Sequence, residues 1–240
     1  MVSKAEEIKS EKSNSETGTI ATELASKLDE SVDTFDALKL KPDLTRGIYG
    51  IFSIAPCFLI ANSIITYGFE SPSSVQQKGF PAMLKGKDLI AQAQPRSGKT
   101  TLFAISILQI IDHSSLNCQA LVLVPTGELA LQIQIVMKAL GEDLQVSIHA
   151  CSASIGKDLK ILKRGVQVVV GTPDRINYIC EKGTINTDNL KLIVLDEVDE
   201  LLSGSYKEQI EVIFKSIPKD TQVKYPPSTR FCLIFYTPYL

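Results

Sequence analysis

The sequence predicts an α/β domain with a mainly parallel sheet flanked by helices. From Lys87 onward, short runs rich in Val, Ile and Leu alternate with stretches of helical periodicity. The runs are continuously apolar, which is typical of parallel strands covered on both faces. Strands alternating with helices favour right-handed crossover connections. The chain has 240 residues, of which 44% are hydrophobic, and this content excludes a wholly disordered protein.

The predicted elements follow one another along the second half of the chain. The expected strands are DLIAQA, QALVLV, VSIHAC, VQVVV and KLIVL. The expected helices are TTLFAISILQII, ELALQIQIVMKAL, DLKILKR, DRINYICEK and SYKEQIEVIFKSI. In ELALQIQIVMKAL the apolar positions recur at helical spacing, which places one face of that helix against the sheet.

The first 34 residues are predicted to form a disordered acidic tail. They carry four lysines against eight carboxylates and few large apolar groups. They lack the apolar core of a signal peptide. The five cysteines include no C-x-x-C pair, so we expect reduced thiols and a cytoplasmic protein, with a nuclear location as the alternative. The net charge of −2 provides no global basic field for nucleic acid.

Residues 47–69 form an apolar stretch without charge between Arg46 and Glu70. Its length and hydropathy suffice for a short transmembrane helix, which needs roughly 20 apolar residues. Pro56 and Asn62 interrupt it, so a membrane-tethered protein is the weaker expectation. The favoured interpretation is an apolar insertion at about 51–66 that packs on, or disrupts, the domain that follows.

A phosphate loop is predicted between the first strand and the first helix of the α/β pattern. Residues Ala93–Thr100 read A-Q-P-R-S-G-K-T, which fits the relaxed pattern A-x-x-x-x-G-K-T. Backbone N–H groups at a helix N-terminus bind phosphate, Lys99 would reach the outer phosphates, and the Thr100 hydroxyl would serve Mg²⁺. Pro95 removes a backbone donor. Arg96 would be strained if its position needs a positive φ.

Carboxylates follow the strand KLIVL as Asp196-Glu197-Val198-Asp199. The carboxyl end of a buried parallel strand lies at the ligand-binding edge of its sheet. Asp196 is expected to hold Mg²⁺, mostly through water, and Glu197 to orient or deprotonate an attacking water. The pairing with a phosphate loop upstream makes a solvated acidic turn the weaker interpretation.

Together these motifs resemble the N-terminal RecA-like domain of DEAD-box ATP-dependent RNA helicases, in particular the translation initiation factor 4A group. The resemblance runs from Phe35 to Val223. Besides the phosphate loop, four segments carry it. They are Gly68–Gln76 (the Q motif), Pro125–Ala130 (motif Ia), Thr172–Arg175 (motif Ib) and Val194–Glu200 (the DEAD segment).

The resemblance implies a RecA-like P-loop fold, ATP and Mg²⁺ as cofactors, and RNA held by its backbone without sequence preference. The residues expected to bind ATP are Phe35, Phe69, Gln76, Ala93, Gln94, Pro95, Arg96, Ser97, Gly98, Lys99 and Thr100. Those expected to contact RNA are Pro125, Thr126, Thr172 and Arg175. The expected catalytic residues are Lys99, Asp196 and Glu197. The expected magnesium site consists of Thr100 and Asp196. Asp199 is expected to couple the motifs of the family to one another. Translation or RNA-processing proteins are the implied partners.

Departures from the family pattern leave alternatives open. The phosphate loop carries Pro95-Arg96, motif Ia has Gly127 in place of arginine, and Ala153-Ser154 stands where the family has two glycines. Motif Ib has Asp174 for glycine, and Val198 replaces alanine in the DEAD segment. Residues 224–240 are expected to be a divergent tail, and a second RecA-like domain is not recognisable. The expected function is RNA-stimulated ATP hydrolysis by a helicase-like protein. The alternatives are a non-catalytic nucleotide-, RNA- or partner-binding fragment and a degenerate copy without activity, in which 51–66 is a translated intervening sequence.

Overall fold

The computed structural model describes residues 31–54, 71–94, 96–203, 206–216 and 231–236. The chain divides into two units, residues 1–31 and 32–240. Most of the predicted acidic tail, residues 55–66 of the predicted insertion, Phe69 and Pro95 lie outside the described residues. The predictions made for them therefore stay predictions.

One parallel sheet organises the domain, as predicted. Its strands are β1 (Leu89–Gln92), β2 (Ala120–Leu123), β3 (Ile148–Cys151), β4 (Val168–Gly171), β5 (Leu192–Leu195) and β6 (Phe231–Tyr236). They lie in the order β1-β6-β5-β2-β4-β3, and every neighbouring pair is parallel. Every residue of β2 to β5 is buried, because helices cover both faces of these strands.

The sheet extends into the predicted C-terminal tail through β6. Residues 224–240 were expected to be a divergent tail, yet Phe231–Tyr236 forms a strand between β1 and β5. Its six-residue apolar run suits a strand with neighbours on both sides. The sheet therefore continues beyond Val223, the last residue of the resemblance read from the sequence motifs.

Helices connect the strands and precede the first of them. They are α1 (Pro42–Ile54), α2 (Ser74–Leu84), α3 (Lys99–Ile110), α4 (Gly127–Leu140), α5 (Ile155–Leu162), α6 (Pro173–Glu181), α7 (Val198–Ser203) and α8 (Lys207–Ser216). The predicted insertion begins inside α1, since residues 51–54 continue that helix. Among the helices of the described residues, none is long and apolar enough to cross a membrane.

Candidate functional site

The loops that follow the strands meet at one edge of the sheet, because all six strands point the same way. The phosphate loop follows β1 and the carboxylates follow β5. β6 lies between them, with Gln92 paired to Tyr236 and Leu195 to Ile234. The other half of the edge carries the segments that follow β2, β4 and β3. The sheet order therefore separates a phosphate-loop half from a half that carries motifs Ia and Ib.

The phosphate loop folds around its own lysine. Lys99 is the first residue of α3, and its Nζ donates to the carbonyl oxygens of Ala93 and Gln94. The side chain is almost fully buried, and this burial lowers the pKa of Lys99, while Asp196, Glu197 and Asp199 act to raise it. The ammonium group thus sits within the field of the carboxylates across the edge of the sheet.

Two side chains at the start of α2 support the phosphate loop. Gln76 makes two hydrogen bonds through its side-chain amide. Its Oε1 accepts from the Ser73 N–H at 2.9 Å, and its Nε2 donates to the Gly98 carbonyl at 3.1 Å. The Ser73 hydroxyl donates to the Ser97 carbonyl at 2.7 Å. Gly98 has φ +88°, and a Cβ there would lie 2.5 Å from Gln76 Nε2. Only glycine satisfies both the backbone conformation and this close approach.

Arg96 meets the condition under which strain was predicted, because its φ is +62°. An L-residue in the left-handed region costs on the order of 1–3 kcal/mol relative to glycine. The side chain is exposed. The conformation of the phosphate loop therefore demands a positive φ at a position where this sequence lacks glycine.

The carboxylates at the end of β5 are held in a low-dielectric environment. Asp196 is 4% exposed, and burial, followed by the charge of Glu197, raises its pKa to about 7. Its Oδ1 accepts a hydrogen bond from the Glu197 N–H at 3.1 Å. Burial also raises the pKa of Glu197, with further contributions from Glu200 and Asp199. An ionised Asp196 at this edge needs a cation to offset its desolvation.

The residues present fit a divalent cation and phosphate. The buried Asp199 Oδ1 and Ser97 Oγ have no hydrogen-bond partner in the described part of the chain. Buried polar atoms without a partner carry a free-energy penalty that a ligand or water relieves. Four carboxylates (Asp196, Glu197, Asp199 and Glu200) follow β5, and oxygen ligands are those that Mg²⁺ prefers.

The second half of the edge contains the segments resembling motifs Ia and Ib. Thr126 caps α4, and its Oγ1 accepts a hydrogen bond from the Leu129 N–H at 3.3 Å. Thr172 precedes Pro173, the first residue of α6. Pro125 is buried, and its carbonyl accepts a hydrogen bond from the Tyr206 hydroxyl at 3.4 Å. Among the predicted RNA contacts, Pro125 therefore has a buried ring, and its carbonyl is held within the protein.

Arg175 is held by the protein at this edge. Its Nη1 donates to the Ala153 carbonyl at 3.2 Å and to Asp158 Oδ2 at 3.4 Å. The side chain is 26% exposed, whereas that of Asp158 is wholly buried. Gly127 faces the same loop, because a Cβ built there would lie 3.4 Å from the Ser152 Cβ. A longer side chain at position 127 would therefore lie beside the loop that Arg175 anchors.

Comparison with known proteins decides the family. The DEAD/DEAH box helicase signature matches residues 73–233. The ATP-dependent RNA helicase eIF4A of Neurospora crassa is 46% identical over 203 residues, covering 84% of this chain and 47% of that protein. The eIF4A of Aspergillus fumigatus is 45% identical, with 84% and 46% covered.

The chain belongs to the DEAD/DEAH box helicase family. A solved DEAD box protein from the hyperthermophile Methanococcus jannaschii superimposes with a TM-score of 0.71 at 29% identity, covering 86% of this chain and 50% of that one. This chain spans about half the length of the curated relatives it matches. The predicted RecA-like fold and family membership are confirmed.

Within this DEAD-box domain, the predicted site residues fall into two groups. In the first group Gln76 bonds to Gly98, Ser97 is bonded by Ser73, and Lys99 bonds to Ala93 and Gln94. The second group consists of the carboxylates whose negative charges act to raise the pKa of Lys99, namely Asp196, Glu197 and Asp199. Phe35 lies in the core, with its ring 6.0 Å from that of Phe80 in an edge-to-face arrangement.

Sequence reasoning missed Asp158. On α5 the positions 155, 158, 159 and 162 share one face at helical spacing, so an acidic residue at 158 falls among apolar neighbours. That spacing was the available signal. The partners of Asp158 lie 9 and 17 residues away along the chain, and no local pattern indicates them.

Replacing Arg96 by glycine is expected to stabilise this DEAD-box domain by about 1–3 kcal/mol, because glycine adopts a positive φ without strain. Urea unfolding measures the change. Arg96→Ala is the matched control: it removes the guanidinium but keeps a Cβ, so it should leave the strain in place. Equal stabilisation by both variants would contradict a backbone origin.

The stability of the nucleotide-free protein in EDTA is expected to fall as the pH rises from about 4 to about 7 on account of Asp196. Its pKa is raised in the folded state to about 7, so the folded protein keeps a proton that the unfolded chain releases. The contribution is complete below the unfolded pKa and is lost as the pH passes the folded pKa. The slope approaches about 1.4 kcal/mol per pH unit. Urea unfolding across this range should show a shallower dependence in Asp196→Asn, and an unchanged slope would contradict the assignment.

Proposed function

We propose that this chain is the nucleotide-binding half of an ATP-dependent RNA helicase, which binds ATP with Mg²⁺ and holds RNA by its backbone. The observation that carries the proposal is the position of Lys99. Its ammonium lies in the phosphate loop while three carboxylates act on it across the sheet edge. Such an arrangement binds phosphate and a divalent cation next to each other.

Each residue of the nucleotide site has a role that follows from its chemistry. The N-terminus of α3 and the Lys99 ammonium would bind the phosphates, which requires Lys99 to leave the carbonyls of Ala93 and Gln94. Thr100 and Asp196 would hold Mg²⁺, which neutralises charge that develops on the phosphates. Glu197 would orient or deprotonate water.

Gln76 would read adenine while it supports the phosphate loop. Its Oε1 and one N–H are engaged with Ser73 and Gly98. A side-chain amide has a second N–H and a second acceptor lone pair, which leave it able to bind a base. Adenine recognition and the shape of the phosphate loop would therefore depend on the same side chain.

RNA would bind at the half of the edge that carries Thr126, Thr172 and Arg175. Hydrogen bonds to phosphate and sugar hold RNA without reading its sequence, which suits these polar groups. The name of the curated relatives, ATP-dependent RNA helicase eIF4A, supports this assignment. We also propose a cytoplasmic or nuclear location and translation or RNA-processing proteins as partners.

The test is nucleotide binding and turnover by the full chain. A fluorescent ATP analogue with Mg²⁺ should bind, and Lys99→Ala should weaken binding by about 10- to 100-fold, because hydrogen bonds to charged groups contribute about 1.5–3 kcal/mol. Lys87→Ala is the matched control, since Lys87 is exposed and precedes β1 at the end opposite the phosphate loop. Equal binding by all three proteins would overturn the proposal.

Turnover separates a catalytic domain from a binding module. Single-stranded RNA should raise ATP hydrolysis, and Glu197→Gln should abolish that rise while nucleotide binding persists. Binding without turnover in the wild type would favour the non-catalytic module, for which the strained Arg96 is the specific observation. Adding the second domain of a relative then tests whether hydrolysis requires that domain or is prevented by damage to this site.

A further inference from the structure

Asp158 is a wholly buried carboxylate that the nucleotide site does not use. It lies on α5, and its two oxygens have different partners. Oδ1 is 2.9 Å from His149 Nε2, and Oδ2 accepts a hydrogen bond from Arg175 Nη1 at 3.4 Å. Removing a carboxylate from water costs several kcal/mol unless partners satisfy its oxygens. The partners of Asp158 are therefore needed to offset the cost of burying its carboxylate.

The partners of Asp158 connect two segments of the motif Ia and Ib edge. Arg175 belongs to the first turn of α6, which follows β4, and its Nη1 also donates to the Ala153 carbonyl in the loop after β3. β3 and β4 are neighbours, with Cys151 paired to Gly171. One carboxylate thus anchors the guanidinium that ties the loop to the helix N-terminus.

A metal site is the other interpretation of this cluster. His149 and Cys151 share a face of β3, and their ligand atoms lie within 4.8 Å of one another and of an Asp158 oxygen. The 2.9 Å contact between His149 and Asp158 is a direct hydrogen bond, and Arg175 already supplies positive charge. The cluster is better explained as a hydrogen-bonded network.

The geometry of Arg175 suits a residue shared between protein and ligand. A guanidinium has five N–H donors in a rigid plane, so anchoring Nη1 orients the others. About a quarter of the side chain is exposed. Gly127 supplies no side chain to this edge, and the exposed Asp174 adds a negative charge next to Arg175. The placement of Arg175 therefore matters for a phosphate that binds at this edge.

We propose that Asp158 is a positioning residue for RNA binding: it holds Arg175 and, through it, the loop containing Ala153, so that the remaining donors of the guanidinium meet an RNA phosphate. The inference rests on the proposed function, since it concerns the RNA side of the same domain. It assigns to a buried residue of α5 an effect on a ligand that the residue does not touch.

A double-mutant cycle on the full chain tests the proposal. Asp158→Asn, Arg175→Gln and the double variant are titrated with a fluorescent oligouridine, by anisotropy at several salt concentrations. Each single variant should lose about tenfold in RNA affinity, and the double variant should be no weaker than Arg175→Gln alone. Loss of one phosphate contact should lower the salt slope by about 0.7. Affinity for the fluorescent ATP analogue should stay within about twofold of wild type in each variant.

Two further variants keep the proposal falsifiable if Asp158→Asn fails to fold. Arg175→Lys keeps the charge but not the planar fork, so it should lose about as much RNA affinity as Arg175→Gln. His149→Gln keeps a donor for Asp158 and should bind RNA like the wild type.

Additive losses in the cycle, full RNA affinity in Arg175→Lys, or a fall in melting temperature without loss of RNA affinity in Asp158→Asn would overturn the positioning role. Absence of RNA binding in the wild type, with ATP binding intact, would overturn the RNA part of the proposed function and this inference with it. A wild type that binds RNA but shows no coupling leaves the proposed function standing and removes only the role of Asp158.

Discussion

Substituting alanine for Gly47 is expected to destabilise the protein by about 3 kcal/mol. Gly47 lies on α1 where that helix crosses the end of α4. A Cβ at this position would lie 2.1 Å from the carbonyl oxygen of Leu140 and 3.0 Å from its carbonyl carbon. These are backbone atoms, so no side-chain rotation relieves the overlap, and α1 must move away from α4.

The sign of the effect is diagnostic, because alanine is intrinsically better than glycine in a helix by about 1 kcal/mol. Gly50 is the matched control: it lies in the same helix, and no described atom is within 4 Å of a Cβ built there. Gly50→Ala should therefore stabilise the protein by up to about 1 kcal/mol. Urea unfolding of both variants provides the measurement, and a stable Gly47→Ala would show that α1 does not depend on this contact.

The contrast between these glycines shows what sequence alone leaves open. Both belong to the apolar stretch at residues 47–69. The sequence of that stretch does not reveal which of the two glycines lies against a backbone atom of another helix. The parallel strands were predictable because burial on both faces forces continuous apolar runs such as Val168–Gly171. The place of β6 was not, because pairing with β1 and β5 depends on contacts more than 30 residues away along the chain.

The candidate site divides in the same way. The positive φ at Arg96 was predictable, because a phosphate loop brings successive N–H groups to one point and so demands left-handed backbone. The anchoring of Arg175 was not, because its partners come from the loop after β3 and from α5, 22 and 17 residues away along the chain. Motif spacing identifies residues that a ligand touches, whereas residues that act through another side chain leave no comparable periodicity.

Phe35→Ala is expected to reduce the free energy of unfolding by about 3–5 kcal/mol, as do other truncations of buried aromatic residues. The Phe35 side chain is 2% exposed and packs edge-to-face on Phe80, one helical turn after Gln76 in α2. The nearby Val32 N–H donates to the Gln77 carbonyl at 3.1 Å. These two contacts hold the segment before α1 against α2, the helix that supports the phosphate loop. Urea unfolding measures the loss.

Phe35→Leu separates this packing role from the adenine contact that the family resemblance implies. Leucine retains most of the buried volume but has no aromatic face, so the domain should stay folded with a loss below about 1.5 kcal/mol. If the ring serves chiefly to hold α2, affinity for the fluorescent ATP analogue should stay within about twofold of wild type. A tenfold loss of affinity in a variant of near-native stability would instead show that the aromatic ring meets the base. Because Gln76 is bonded to Gly98, a displaced α2 would also disturb the phosphate loop, so Phe35→Ala should weaken nucleotide binding whether or not the ring contacts the base.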